Sequence, residues 1–146
     1  MIFLLLLVNA LNVKRVPSSG FPPQARSEHS AVYSQDFNLL VIFGGQDDLK
    51  KFNDLWVYSF SSNVWARVYP LTNLLPRKNY LEPRRSAVIF ISSTNKNLVY
   101  VYGGTGENGP LQDLWSFNLV SRIWNFEKVF KTLVKKHTPP RLIFIL

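Results

Sequence analysis

The same pattern occurs twice in this sequence at a fixed spacing, and this limits the possible folds more than any other feature. The segment LLVIFGGQDDLKKFNDLWVYSFSSNVWARV, at 39–68, matches LVYVYGGTGENGPLQDLWSFNLVSRIWNFEKV, at 98–129. Matched residues differ in number by 59 and include all 4 tryptophans: Gly44 and Gly103, Asp54 and Asp113, Leu55 and Leu114, Trp56 and Trp115, Trp65 and Trp124. Repeats of this length indicate a structure built from stacked copies of one supersecondary unit.

Each unit is predicted to contain four short strands. Segments 29–45 and 85–104 each have two β-rich runs joined by a polar turn, at 34–38 and at 92–97. A double glycine and a loop lead to a strand that ends in Asp-Leu-Trp, followed by a short turn and a last strand that Trp65 or Trp124 opens. Four antiparallel strands per repeat are the content of one β-propeller blade, so the predicted fold class is all-β.

The second unit also contains a glycine pattern that can signal a phosphate-binding loop. Gly104, Gly106 and Gly109 have the spacing G-x-G-x-x-G directly after an apolar strand. A dinucleotide site needs a following helix, because the N-terminal N–H groups of that helix face the pyrophosphate. Here Pro110 and the alternating segment LQDLWSFNL follow, which predict another strand. We therefore assign the glycines to the repeat and expect no nucleotide binding.

The combined pattern resembles the kelch repeat family. The resemblance rests on double glycines after the second strand, a large aromatic residue in the third strand, and a spaced tryptophan. A lead-in with proline and arginine, PPQARSEHSAV at 22–32 and EPRRSAV at 82–88, adds to it. The signature residues are Gly44, Gly45, Trp56, Trp65, Gly103, Gly104, Trp115 and Trp124. The resemblance extends over residues 17–130 and implies a kelch-type β-propeller fragment with two complete four-stranded blades.

The resemblance also implies a division of the chain. Kelch repeat 1 is predicted at 17–69, kelch repeat 2 at 70–130, and a basic tail that starts a further repeat at 131–146. The spacing of 59 exceeds the roughly 50 residues of a kelch repeat. The long connection at 69–83 and a longer hairpin turn in the second unit account for the excess.

The first sixteen residues allow two interpretations. Segment 3–16 superposes on 55–68 and fits the last two strands of a preceding blade, whereas the apolar start at 1–10 fits a short signal-like segment without a basic region. Because propellers close with about 4–8 blades, we expect a fragment or truncated gene model that needs further blades or self-association to close. The cytoplasm is the favoured location, and secretion stays open if residues 1–10 act as a signal.

The resemblance implies a binding face and a non-catalytic scaffold that binds a protein partner. Kelch propellers often take ligands where the lead-ins and the loops after the double glycines meet. The candidate residues in the lead-ins are Arg26, Arg84 and Arg85. The candidate residues in the loops are Gln46, Asp47, Asp48, Lys50, Lys51, Thr105, Glu107 and Asn108.

Other conspicuous residues have structural explanations. Double glycines at strand ends permit positive φ where a Cβ would clash with the neighbouring blade. Trp56 and Trp115 are predicted to occupy equivalent core positions between the sheets. Asp54 and Asp113 are predicted to hold turn backbone through hydrogen bonds, not to act as catalytic acids.

Composition argues against metal, redox and cofactor chemistry. The chain has no cysteine, and its 2 histidines, His29 and His137, form neither a metal nor a triad pattern. Copper chemistry of the galactose oxidase type, which needs a cysteine joined to tyrosine, is excluded, and we expect no cofactor, no metal and no catalytic residue. His29 matches Arg85 through the Ser-Ala-Val triplet nearby and is predicted to be a blade-edge residue.

The net charge of +8 raises the question of nucleic acid. The basic residues form scattered pairs and one tail, which are usually solvated surface, so we expect no specific nucleic acid and favour an acidic protein partner. The apolar run at 2–8 is too short for a transmembrane segment, which needs about 20 residues. The alternative functions are a secreted or surface carbohydrate-binding or adhesion propeller, and a fragment of a galactose-oxidase-like enzyme scaffold.

Overall fold

A computed structural model describes residues 17–71 and 81–127, and strands are the regular structure of both segments. The proposals for residues 1–16 and 131–146 therefore lie outside the described residues. The described strands are, in chain order, β1 (Ser19–Gly20), β2 (Ser30–Ser34), β3 (Leu39–Phe43), β4 (Leu55–Ser59), β5 (Val64–Val68), β6 (Val88–Ile91), β7 (Leu98–Tyr102), β8 (Thr105–Gly106), β9 (Gly109–Pro110), β10 (Leu114–Asn118) and β11 (Trp124–Glu127).

Each repeat forms one four-stranded antiparallel sheet. The first sheet, blade 1, has the order β5-β4-β3-β2, with the short β1 added parallel to β5 at the outer edge. The second, blade 2, has the order β11-β10-β7-β6, and β8 and β9 form a separate hairpin between β7 and β10. This arrangement confirms the predicted all-β class and the four strands per unit, and it places both polar turns between the first two strands.

The third strand begins, and does not end, with the Asp-Leu-Trp triplet. β4 starts at Leu55 and β10 starts at Leu114, so each aspartate lies immediately before its strand. The sequence pattern placed the triplet at the end of the third strand, and that prediction is wrong because the triplet lies at its start. The physical reason is that the aspartate carboxylate contacts the lead-in at that end of the sheet, as described below.

The lead-in has a different register from the one that the Ser-Ala-Val letters predict. Ser27 forms a bridge with Gln46, and Arg85 forms the same bridge with Thr105, in each case directly after the double glycine. Arg85 is therefore the equivalent of Ser27, and its predicted match with His29 is wrong. Backbone pairing with the loop sets this register. In this register the two Ser-Ala-Val triplets are offset from each other by two residues.

The two blades pack face to face around one buried cluster. Phe43 of blade 1 meets Trp124 of blade 2 edge-on, with ring centroids 5.8 Å apart. Successive side chains of a strand alternate between faces, so each blade contributes every second residue to this contact. The buried cluster comprises Val41, Phe43, Leu55, Leu81, Val99, Val101, Trp115, Phe117 and Trp124.

The lead-in of repeat 2 also joins the blades through backbone hydrogen bonds. Arg84 N–H donates to the Phe52 carbonyl at 2.9 Å, and the Arg84 carbonyl accepts from Gly45 N–H at 2.9 Å. Ser86 N–H donates to the Glu28 carbonyl at 2.9 Å. The loop and the lead-in of repeat 1 are thus hydrogen-bonded to the lead-in of repeat 2.

The second glycine of each pair lies against the lead-in backbone. Gly45 has a φ of 92°, and a Cβ there would lie 2.7 Å from the Ser27 carbonyl oxygen. Gly104 has a φ of 89°, and a Cβ there would lie 2.7 Å from the Arg85 carbonyl oxygen. Both the backbone conformation and the close approach therefore require glycine.

We expect Gly45→Ala and Gly104→Ala to destabilise the fold more than Gly109→Ala does. Gly109 has a φ of 118°, and a Cβ there would meet nothing within 4 Å, so alanine costs only the backbone strain of about 1–2 kcal/mol. The other two variants add a steric cost of about 1–3 kcal/mol. Urea unfolding followed by circular dichroism measures the difference, and equal midpoints for all three variants would contradict it.

Candidate functional site

The lead-ins and the loops after the double glycines meet at one end of the two blades, which we call the loop end. The bridges of Ser27 and Arg85 attach each lead-in to its own loop. The loops of the two repeats approach each other where Lys51 Nζ lies 3.6 Å from a carboxylate oxygen of Glu107. The structure therefore brings the residues predicted from the sequence to a common end of the molecule.

These residues differ widely in exposure. The exposed members are Asp48, Lys50, Glu107 and Asn108. The half-buried members are Gln46, Asp47, Lys51, Arg85 and Thr105. The side chains of Arg26 and Arg84 are 4% and 0% exposed, so both guanidinium groups lie inside the protein.

Each buried arginine forms a bidentate pair with the aspartate before the third strand of its repeat. Arg26 donates to Asp54 through Nη1 at 2.5 Å and through Nη2 at 3.1 Å. Arg84 donates to Asp113 through the same atoms at 2.6 and 2.8 Å. The arginine Nη1 also donates to the carbonyl of the first glycine, Gly44 or Gly103. One side chain thus holds the lead-in, the glycine turn and the strand start together.

An indole completes this arrangement in both repeats. Trp56 Nε1 donates to Asp54 Oδ2 at 2.7 Å, and Trp115 Nε1 donates to Asp113 Oδ2 at 2.7 Å. The aspartates therefore accept hydrogen bonds from arginine and tryptophan side chains, whereas the sequence predicted turn backbone as the partner. We call this repeated set of side chains the Arg–Asp–Trp unit.

The Arg–Asp–Trp unit keeps both aspartates ionised. Burial by itself raises the pKa of Asp54, but the hydrogen bonds from Arg26 and Trp56 outweigh it and hold that pKa below its ordinary value. The same balance, with Arg84 and Trp115 as donors, lowers the pKa of Asp113. A carboxylate that is held ionised by a guanidinium is a poor general acid, so the geometry gives these residues a structural task.

Asp47 organises the loop of repeat 1. Its Oδ1 accepts from Leu49 N–H at 2.9 Å and from Lys50 N–H at 2.8 Å, and its Oδ2 accepts from Gln24 Nε2 at 2.8 Å. The two backbone hydrogen bonds lower the pKa of Asp47. This Asx turn presents Asp48 and Lys50 at the surface, so Asp47 positions the exposed part of the loop.

The loop of repeat 2 is the β8–β9 hairpin that contains the glycine-rich pattern. Glu82 accepts from Glu107 N–H at 2.7 Å, and a Cβ on Gly106 would collide with the Glu82 carboxylate. The strand β10 follows this hairpin, and the N-terminus of a helix that would face a phosphate is absent from residues 103–118. The following strand is as the sequence context predicted, and Gly104 belongs to the repeat as the counterpart of Gly45, whereas Gly106 and Gly109 stand where repeat 1 has Asp47 and Lys50.

Glu28 is a contact between the blades that the sequence pattern did not reveal. Its carboxylate accepts from Arg85 Nη1 at 2.6 and 2.8 Å, from Ser86 Oγ at 2.6 Å, and from Gln46 Nε2 at 3.0 Å. The hydrogen bonds from Ser86 and Arg85 lower its pKa. Glu28 has no acidic counterpart in repeat 2, so the repeat pattern carried no signal for it.

A cleft of about 310 Å³ opens beside the Arg–Asp–Trp unit of repeat 1. Trp56 is half-buried there and pairs across the strands with Arg67. Trp115 is only 1% exposed and packs on Phe126, with ring centroids 5.2 Å apart. The two tryptophans are therefore equivalent in sequence and hydrogen bonding, but the prediction of equivalent core positions does not hold for their burial among the described residues.

The comparison with protein families agrees with this geometry. A family model described as the KLHDC2/KLHL20/DRC7 Kelch-repeats domain matches residues 2–141. The chain belongs to the kelch repeat family. The double glycines, the spaced tryptophans and the four-stranded blades are therefore features of a kelch domain, and the resemblance inferred from the repeat is confirmed.

Curated relatives match only parts of longer proteins. The kelch domain is 29% identical over 109 residues to the "N-(sulfonatooxy)prop-2-enimidothioate sulfolyase" of Thlaspi arvense, covering 73% of this chain and 28% of that protein. It is 29% identical over 113 residues to the "Leucine-zipper-like transcriptional regulator 1 homolog" of Drosophila melanogaster, covering 72% and 10%. It is 22% identical over 107 residues to the "Mei4-dependent protein 6" of Schizosaccharomyces pombe, covering 68% and 14%.

Two kinds of feature, a metal site and a membrane-spanning helix, are not found in the residues that the structure describes. Residues 17–71 and 81–127 contain no group of three histidine, cysteine, aspartate or glutamate side chains placed to hold a metal ion. In the same part of the chain, no helix has the length and hydrophobicity needed to cross a membrane.

We expect Asp113→Asn to remove an acid-sensitive part of the stability. The pKa of Asp113 in the folded state lies below its unfolded value of about 3.9, so its contribution is complete above that pH and is lost as the pH falls through the folded-state pKa. At neutral pH the variant leaves the buried Arg84 without a counter-charge, which costs about 3–5 kcal/mol.

The control for this variant is Asp48→Asn, which removes an exposed loop carboxylate. We expect it to keep the neutral-pH stability and the loss of stability below about pH 4. Urea unfolding at several pH values measures both. If Asp113→Asn and Asp48→Asn have the same free energy of unfolding at neutral pH, the buried pair does not hold the loop end in place.

Proposed function

We propose that this kelch domain is a non-catalytic scaffold that binds a protein partner through the loop end of the blades. The observation that supports this most is that the two repeats share the Arg–Asp–Trp unit but carry loops of different sequence. Both repeats carry the same Arg–Asp–Trp unit and the same antiparallel pairing after the double glycine, yet the loop of repeat 1 presents Lys50 and Lys51 around an Asx turn, and the loop of repeat 2 presents Glu107. A rigid frame with variable loops suits recognition.

The residues of this end that would attract an acidic partner are Lys50 and Lys51, which lie in the same loops as the exposed carboxylates of Asp48 and Glu107. Lys50 lies over the Phe52 ring at 5.4 Å and has no ion pair with any described residue. Lys51 has only the 3.6 Å contact with Glu107, which is 82% exposed. Cations on exposed loops raise the association rate of an acidic protein.

A catalytic role has less support. Each aspartate of the Arg–Asp–Trp units is held ionised by an arginine, so neither carboxylate is suited to exchange a proton with a substrate near neutral pH. One relative is named a sulfolyase and another a transcriptional regulator homolog, so the names of the relatives do not point to one shared reaction. We therefore propose no intrinsic turnover and no cofactor.

Further blades or copies of the chain are proposed to cover the outer sheet faces. On blade 1 the described aromatic residues Tyr33 and Phe60 are 51% and 47% exposed, with ring centroids 5.5 Å apart. On the opposite side of the pair, Phe90 stacks on Tyr100 with centroids 5.1 Å apart. A kelch blade buries both faces against neighbours, so these surfaces favour association.

We expect the chain of 16.9 kDa to elute as an oligomer in size-exclusion chromatography with light scattering. Tyr33→Lys combined with Phe60→Lys places charges on the aromatic face and is expected to shift the mass toward the monomer. Lys96→Gln, in the hairpin turn at 92–97, is the control and should leave the mass unchanged. A stable monomer for the unmodified chain would contradict this proposal.

A photo-crosslinking experiment tests the binding face. We expect benzoylphenylalanine in place of Asp48 or Asn108, both exposed in the loops, to crosslink to the same protein in an extract of the source cells. Mass spectrometry of the product is expected to identify a protein with an acidic segment. The same group in place of Lys96, at the other end of the blades, is the control. Equal crosslinking from all three positions would contradict a loop-end site.

A further inference from the structure

The tip of the β8–β9 hairpin carries the dipeptide Asn108-Gly109, the one place in the sequence where glycine follows asparagine. This order has a chemical consequence, because the main-chain nitrogen of the next residue can attack the side-chain carbonyl carbon of an asparagine and close a ring. A side chain on the next residue hinders that attack, and glycine has none. The dipeptide is therefore a candidate for spontaneous modification of the main chain.

The surroundings of Asn108 leave its side chain free to react. The residue is exposed, and its amide forms no hydrogen bond with another described residue. A Cβ on Gly109 would meet nothing within 4 Å, so water reaches the main chain at this point. Asn95 is also exposed, but its Oδ1 accepts a hydrogen bond from Asn97 N–H at 3.1 Å, which holds that side chain in place.

The main restraint on the reaction is the pairing of the hairpin itself. Gly109 pairs with Gly106, and this pairing must open before the Gly109 nitrogen can turn toward the Asn108 side chain. A hydrogen bond from Glu107 N–H to Glu82 holds the tip on one side. β8 and β9 have two residues each and form a sheet apart from the four strands of blade 2. Such a short hairpin has little stability of its own, so we expect it to open locally while the blade stays folded.

Repeat 1 shows that the repeat does not need this dipeptide. Its loop has the same backbone pairing after the double glycine, and Leu49 and Lys50 stand at the positions of Asn108 and Gly109. Residues with side chains therefore fit both places in this pairing. The frame of the repeat does not account for a reactive dipeptide at the tip of the second loop.

We propose that Asn108 converts spontaneously to aspartate and isoaspartate in the folded domain. Hydroxide removes the Gly109 N–H proton, and the nitrogen bonds to the Asn108 Cγ. The side-chain nitrogen takes a proton from water and leaves as ammonia, which closes a succinimide ring. Water then opens this ring at one of its two carbonyl groups. Opening at the side-chain carbonyl gives aspartate, whereas opening at the main-chain carbonyl gives isoaspartate, in which the chain continues through the side chain.

Both products change the charge of the loop end in the same direction. Each adds a carboxylate next to Glu107, whose own carboxylate lies 3.6 Å from Lys51 Nζ. Isoaspartate also lengthens the main chain by a methylene group within the tip, so Gly106 and Gly109 cannot keep their register. The added charge weakens the binding of an acidic protein at this end. This effect on binding, and not the reaction, rests on the proposed function.

Incubation of the purified full chain at mildly alkaline pH tests the reaction. Digestion at acidic pH and electron-transfer mass spectrometry then distinguish asparagine, aspartate and isoaspartate. We expect both products at position 108, formed faster as the pH rises. Asn125 is the internal control, since it is exposed but precedes Phe126 within β11, and it should stay unmodified. Gly109→Ala should slow the reaction many-fold, with circular dichroism showing that the variant is folded.

The same incubation in urea separates the folded domain from the unfolded chain. If position 108 reacts in urea but not in the folded domain, the hairpin protects the residue and the inference is wrong. Equal rates for Gly109→Ala and the unmodified chain would also contradict it, because the reaction would then not depend on the dipeptide. Modification of Asn125 at the rate of Asn108 would show that the tip is not a specific site.

A second measurement tests the effect on binding. We expect Asn108→Asp, which carries the charge of the product, to crosslink to the partner from position 48 several-fold less than the neutral control Asn108→Gln does. Equal crosslinking by the two variants would contradict this effect, while the reaction at Asn108 stands. If the reaction occurs but no loop-end crosslink forms with any variant, the proposed function is wrong and the modification site is not.

Discussion

The rest of the structure depends on the buried pairing of one arginine with one aspartate in each repeat. Arg26 with Asp54, and Arg84 with Asp113, join a lead-in to the start of a third strand about thirty residues later in the chain. A buried ion pair adds little net stability, because desolvation opposes the attraction, but it accepts few alternative geometries. Its main effect here is to fix the position of the loop end in each blade.

This fixed frame explains how two unlike loops can share one end of the molecule. The arginine also binds the carbonyl of the first glycine, so the chain leaves the second strand in the same direction in both repeats. Beyond that point the backbone pairing is still the same in both loops, but the sequences differ, and Asp47 closes an Asx turn in repeat 1 where repeat 2 has Gly106. Charge can therefore vary in the loops, as it does at Lys50 and Lys51, without disturbing the blade.

The blades are joined at both the core and the loop end. The buried cluster contains residues from both sheets, and the lead-in of repeat 2 is hydrogen-bonded to the loop end of repeat 1. Glu28 adds a polar contact to Arg85 and Ser86. The loop of repeat 1 thus contacts the lead-in of repeat 2. Both blades together, and not a single repeat, therefore present the candidate binding face.

The sequence by itself determined the local structure: the four strands of each repeat, the two polar turns and the need for glycine at positions such as 45 and 104. The strands and turns follow from side-chain alternation, and the preference for glycine follows from positive φ, both of which act between near neighbours. The predicted clash with the neighbouring blade is wrong for Gly45 and Gly104, because a Cβ at either position would meet a carbonyl of the lead-in of its own repeat. Only the tertiary structure decided the partners of Asp54 and Asp113, the role of Glu28, the register of Arg85 and the unequal burial of Trp56 and Trp115. Those depend on contacts between residues far apart in the chain, and a single sequence carries no direct signal for such contacts.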